Sequence, residues 1–229
     1  MIVEPGHDQT AHRGPAAGDP QPDQRRRTGP VGGNLGRERP PAHEIQNPGL
    51  QGMLGAGGAA FVVQRGRGHE LLGSAFRTDG SFSLDVLVPV GGTKAPISPE
   101  NADGFRLRVT DPAGMRERLE AKSMANFAGV VRDAVARSGA GLEDVAYVAM
   151  LHVKRSAHEA LLNALGVPLE RSIYLSDYGH IGQVDQALSL ELARREGRLR
   201  PGDLVVLVAA GVGYVWNAIC LRWGEGGAP

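Results

Sequence analysis

An α/β layered fold is predicted by three observations on the sequence. Two apolar runs, VAYVAMLH at 145–152 and DLVVLVAA at 203–210, read as strands buried on both faces, as helix-covered sheets require. Segments with helical apolar spacing lie before and between them, each stopped by glycine or proline. The resulting order is strand, helix, strand, helix, strand, helix and two closing strands, βαβαβαββ, with a disordered N-terminal tail.

The tail covers residues 1–48. It is crowded with Pro, Gly, Arg, Asp and Gln, carries the run Arg25, Arg26, Arg27 and contains no aromatic residue, so it cannot bury enough surface to offset the entropy of ordering. It reads as disordered, or as the product of a shifted reading frame, and residues 49–229 read as the domain. Charge excludes some function classes: 25 basic and 25 acidic residues balance, which gives no electrostatic reason to expect nucleic acid or an acidic membrane surface as a partner. The N-terminus lacks the basic start and apolar core of a secretory signal, and a single cysteine, Cys220, allows no intrachain disulfide. A cytoplasmic protein is the expectation.

In chain order, the glycines at 55, 57 and 58 precede an apolar run rather than a helix, which favours close backbone packing over a phosphate cradle. Strands are predicted at 59–63, 70–78, 85–90 and 105–109. Asp111 as cap and Pro112 as first residue open the longest helix, with Met115, Leu119, Phe127, Val131, Ala134 and Val135 near one face and Gly139 as its stop. Ser156 is the predicted cap of the helix that follows strand 145–152, and Gly166 ends it. A short strand at 172–175, a helix at 183–196 and a final strand at 214–223 complete the pattern.

Chemistry belongs where loops leave the carboxyl ends of neighbouring strands, and three such loops carry His152, the pair Asp177 and His180, and Gly211-Val212-Gly213. Two histidines there can polarise a carbonyl or hold a developing oxyanion, and a turn with glycine on both sides of Val212 exposes a backbone N–H. Each histidine alone also fits a satisfied, half-buried imidazole. No carboxylate has ligand spacing to His152, His158 and His180, so no metal is expected. Cys220 sits among apolar strand residues, the place of an inert structural thiol.

The stretch SDYGHIGQVDQALSLELARREGRLRPGDLVVLVAAGVGYVWNAICLRW resembles the closing part of the beta-ketoacyl-acyl carrier protein synthase III group of the thiolase superfamily, and LGAGGAAFVV looks like the glycine-rich strand that opens that C-terminal half. The resemblance covers roughly residues 50–223. It implies a thiolase-like layered fold, C-terminal half, and an acyltransferase that condenses acyl thioesters. His152 matches the group's first catalytic histidine, His180 falls where the group has asparagine, and Gly211, Val212 and Gly213 match the turn that completes the oxyanion hole. A histidine in place of asparagine resembles the Cys-His-His set of the elongating ketosynthases. The implied substrates are coenzyme A or acyl carrier protein thioesters, with no permanently bound cofactor. The implied assembly is a homodimer, or a heterodimer with another thiolase-fold subunit. The group's nucleophilic cysteine belongs to the N-terminal half. Counting back reaches Asp19 to Gln24, with no cysteine, which implies a truncated synthase or a non-catalytic subunit completed by a complete partner.

Overall fold

Both long apolar runs are strands of one sheet. The computed structural model describes residues 54–66 and 68–225. Its strands are β1 (Glu70–Thr78), β2 (Val86–Leu87), β3 (Arg108–Val109), β4 (Val145–Met150), β5 (Leu204–Gly211) and β6 (Val215–Arg222), and its α-helices are α1 (Pro112–Arg137), α2 (Arg155–Leu165) and α3 (Asp185–Arg195). The main sheet has the order β1-β6-β5-β4, with β2 and β3 forming a separate two-stranded ribbon. β4 and β5 are parallel, joined by a crossover through α2 and α3, whereas β5 and β6 form an antiparallel hairpin and β6 pairs antiparallel with β1.

The helices form as their end residues dictate. Asp111 accepts a hydrogen bond from the Gly114 N–H, Pro112 opens α1, and Gly139 turns away at φ +71° beyond its end. α1 buries Val130, Val131, Ala134 and Val135 against β1 and β6, and α2 adds Leu161, Leu162 and Leu165 on the same side of the sheet. Leu190 and Ala193 of α3 pack with Tyr147, Ala149 and Val205 on the opposite side. β4 is thus buried on both faces, with Val148 and Met150 toward one core and Tyr147 and Ala149 toward the other. Each such fully buried aliphatic side chain contributes about 1.5–3 kcal/mol relative to exposure.

Several elements differ from the sequence prediction. Residues 59–63 form no strand: Phe61, Val62 and Val63 are exposed and find no ladder partner among the described residues, and an apolar run without a pairing edge is not a strand. The predicted strands at 85–90 and 105–109 shrink to two paired residues each, because only Val86 with Val109 and Leu87 with Arg108 are in register. Residues 172–175 join no ladder among the described residues and are held instead by the Ser172 hydroxyl donating to the Val148 carbonyl and by burial of Leu175. Ser156 is not the cap of α2. The Lys154 carbonyl already accepts the Ala157 and His158 N–H groups, which puts Ser156 inside the first turn. The segment 1–48 and its boundary lie outside the described residues. No described helix is long and apolar enough to cross a membrane.

Candidate active site

The carboxyl end of β4 sets the position of His152. The ladder continues one bond past the strand, with the Leu151 N–H donating to the Val208 carbonyl, and the next N–H, that of His152, turns to the Asp185 carboxylate at 2.7 Å. Asp185 is the first residue of α3 and its side chain is fully buried. Its Oδ2 also lies 2.6 Å from His180 Nδ1, and its Oδ1 accepts the Ile181 N–H at 2.7 Å. One carboxylate therefore fixes the backbone of the first histidine and the ring of the second.

The loop carrying His180 is braced from the other end of the chain. The Gly55 N–H donates to the His180 carbonyl at 2.8 Å, and a side chain at Gly55 would overlap the Tyr178 carbonyl oxygen. The glycine-rich stretch thus serves close backbone packing, as its sequence context predicts. His152, His180, Gly211 and Val212 line one cavity of about 430 Å³, floored by Leu119, Ser123 and Phe127 of α1 and by Trp216. Gly213 belongs to the same turn, at φ +135°, but does not line the cavity. No backbone carbonyl among the described residues takes the N–H of Val212 or Gly213. The turn is anchored instead through Tyr214, whose N–H and carbonyl pair with Asp79 at 2.8 and 2.9 Å. A smaller apolar chamber of about 150 Å³, bounded by Met124, Met150, Ala157 and Leu161, adjoins the cavity at Ser123, Phe127 and Val153.

Burial pushes the His152 imidazole below the usual histidine range, partly offset by the Asp185 charge, with His180 acting in the same direction as burial. His152 Nδ1 is buried and has no hydrogen-bond partner among the described residues. Its ring lies 4.9 Å from that of Tyr174, whose other neighbours are His158 at 5.4 Å and the Arg155 guanidinium at 4.1 Å. Asp177 does not line the cavity, and Cys220 is fully buried in β6, where burial raises its thiol above the ordinary range. No cluster of three or more His, Cys, Asp or Glu suited to a metal ion exists among the described residues.

Sequence reasoning brought together His152, His180 and the 211–213 turn but missed Asp185 and Tyr174. An acidic residue at a helix start, five positions after a site histidine and inside an otherwise uncharged run, was the available signal for Asp185.

Residues 135–223 match the family described as 3-oxoacyl-[acyl-carrier-protein] synthase III C terminal. The beta-ketoacyl-[acyl-carrier-protein] synthase III of Symbiobacterium thermophilum is 28% identical over 173 residues, covering 74% of this chain and 51% of that protein. That of Allorhizobium ampelinum is 29% identical over 182 residues, covering 75% of this chain and 52% of its own length. The solved synthase III of Thermus thermophilus superposes with a TM-score of 0.57 at 26% identity, over 71% of this chain and 48% of that one. The Aquifex aeolicus structure shares the fold at a TM-score of 0.56 and 20% identity, over 70% and 46%. The chain spans about half the length of the curated relatives it matches.

Proposed function

We propose that residues 49–229, which are similar to the C-terminal half of synthase III proteins of the thiolase superfamily, act as one domain that handles acyl thioesters, with His152 and His180 as its site histidines. The observation that carries this reading is the convergence of His152, His180 and the turn at Gly211 and Val212 on one cavity, with both histidines tied to Asp185. A thioester carbonyl there meets a ring donor and the N–H of Val212, which suit the negative charge that grows on its oxygen during acyl transfer. Coenzyme A or carrier-protein thioesters are the substrates this reading assigns. The sequence's one cysteine is buried away from the cavity, so a covalent acyl intermediate here needs a thiol other than Cys220.

Isothermal titration of the full chain with acetyl-coenzyme A tests the reading. Binding is expected, and His152→Ala should weaken it by about tenfold, the equivalent of one lost hydrogen bond of roughly 1.4 kcal/mol. Absence of binding by the unaltered chain would count against the assignment.

A second reading, a non-catalytic subunit that pairs with a complete thiolase-fold synthase, is favoured by a different observation. Leu71 and Phe76 of β1 are 60% and 74% exposed and Ile219 of β6 is 39% exposed, an apolar set that suits a covering partner. Sedimentation of the full chain should give a dimer or larger species. The same apolar set should drive self-association when no other subunit covers it, so a concentration-independent monomer would count against this second reading.

A further inference from the structure

The two rings that line the cavity differ in which nitrogen is already committed. Asp185 receives three donors: the His152 N–H, the Ile181 N–H and His180 Nδ1. A carboxylate offers only lone pairs, so the neutral His180 ring carries its proton on Nδ1 and keeps the Nε2 lone pair free. His152 is arranged the opposite way. Its Nδ1 is buried with no partner among the described residues, and an N–H left there without an acceptor is the costlier arrangement. The neutral His152 ring therefore carries its proton on Nε2. Among the described residues no side chain or backbone group hydrogen-bonds either Nε2, and both rings line the same cavity.

We infer that Asp185 sets His180 as a proton acceptor facing a cavity in which His152 is the proton donor, which fits the site to acyl transfer onto an acceptor bearing an O–H or N–H. The inference rests on the acyl-thioester reading of the cavity and names its second substrate. Decarboxylative condensation generates its carbanion by losing carbon dioxide and asks the protein for oxyanion donors, not for a base. A neutral oxygen or nitrogen nucleophile must instead lose a proton as it attacks.

The step balances without a side-chain nucleophile. The acceptor's lone pair forms the new bond to the thioester carbon while its proton passes to His180 Nε2. His152 Nε2–H holds the oxyanion. The C–S bond then breaks, the thiolate takes the proton back from His180, and an ester or amide leaves with the free thiol. Asp185 touches neither substrate and acts as a positioning residue, fixing the His180 tautomer and stabilising the imidazolium that forms.

The test has two parts. In long-range ¹⁵N–¹H spectra of the full chain with labelled histidine, neutral His180 should be protonated at Nδ1 and neutral His152 at Nε2. His180 protonated at Nε2 in the folded chain overturns the inference, and this reading needs no variant to fold. The second part incubates the full chain with acetyl-coenzyme A and either 1-butanol or butylamine. Acetyl transfer above the uncatalysed rate is expected, falling about 10²- to 10⁴-fold in His180→Asn, which keeps a donor amide but removes the base. Asp185→Asn should fall about 10- to 100-fold and lose the Nδ1–H preference of His180. Transfer unaffected by His180→Asn, or condensation with malonyl-coenzyme A in place of transfer to both acceptors, overturns the acceptor class. Failure of acetyl-coenzyme A to bind at all would sink the acyl-thioester reading, and with it this second substrate, whereas the tautomer spectra would still decide the role of Asp185.

Discussion

Asp185→Ala should lower the stability of the chain by about 3 kcal/mol, read as a shift in urea midpoint at constant slope. Among the described residues the carboxylate is the one acceptor of the His152 and Ile181 N–H groups, and it lies fully buried at the start of α3. Truncation leaves those donors and the half-buried His180 ring without their carboxylate partner. Each orphaned buried donor costs about 1–3 kcal/mol, and partial rescue by entering water keeps the total near the lower bound. A loss below about 1 kcal/mol would show that the three bonds do not act together as a structural unit.

Acidification from pH 7.5 to 5 should remove about 2 kcal/mol of stability through His158 alone. Its ring is 5% exposed in the first turn of α2, and its pKa is lowered to about 4, by burial first and then by the charges of Arg155 and His152. The unfolded chain takes up its proton near the ordinary value of 6.5 while the folded chain does not until about 4. Between those values the unfolded state binds more protons, so stability rises with pH across the window and is lost as pH falls through it. His69 and His152, both also lowered, add with the same sign, so the contribution of His158 is read as a difference. His158→Phe should flatten the acid limb in urea unfolding at pH 7.5 and 5. An unchanged limb would mean that the folded ring titrates normally.

The legible parts of the fold were those in which one local pattern carried all the information. Strands β4 and β5 are buried on both faces and read as continuous apolar runs, while α1 carries its own start and stop in Asp111, Pro112 and Gly139. The failures lie where local pattern was ambiguous and tertiary pairing decided. Residues 59–63 and 172–175 have strand-like composition, yet no ladder partner meets them among the described residues. His152, His180 and the 211–213 turn were legible as ends of elements facing one crevice. Asp185 was not, because its partners, the His152 N–H, the Ile181 N–H and His180 Nδ1, become neighbours only when the end of β4 meets the start of α3.

The order β1-β6-β5-β4 also fixes a sequence of events in synthesis. Among the described residues β1 precedes the other strands of its sheet in the chain, and its one sheet neighbour there is β6, with Glu70 opposite Arg222 and Thr78 opposite Val215. Until Arg222 has emerged, β1 lacks the ladder it joins among the described residues, and Ala75, buried in the finished sheet, waits unprotected beside α1. Closure of the sheet is therefore a late, long-range step, slow in the manner of folds whose pairings span most of the chain. Chaperone capture during that interval, rather than instability of the finished sheet, is where this architecture is most exposed to aggregation.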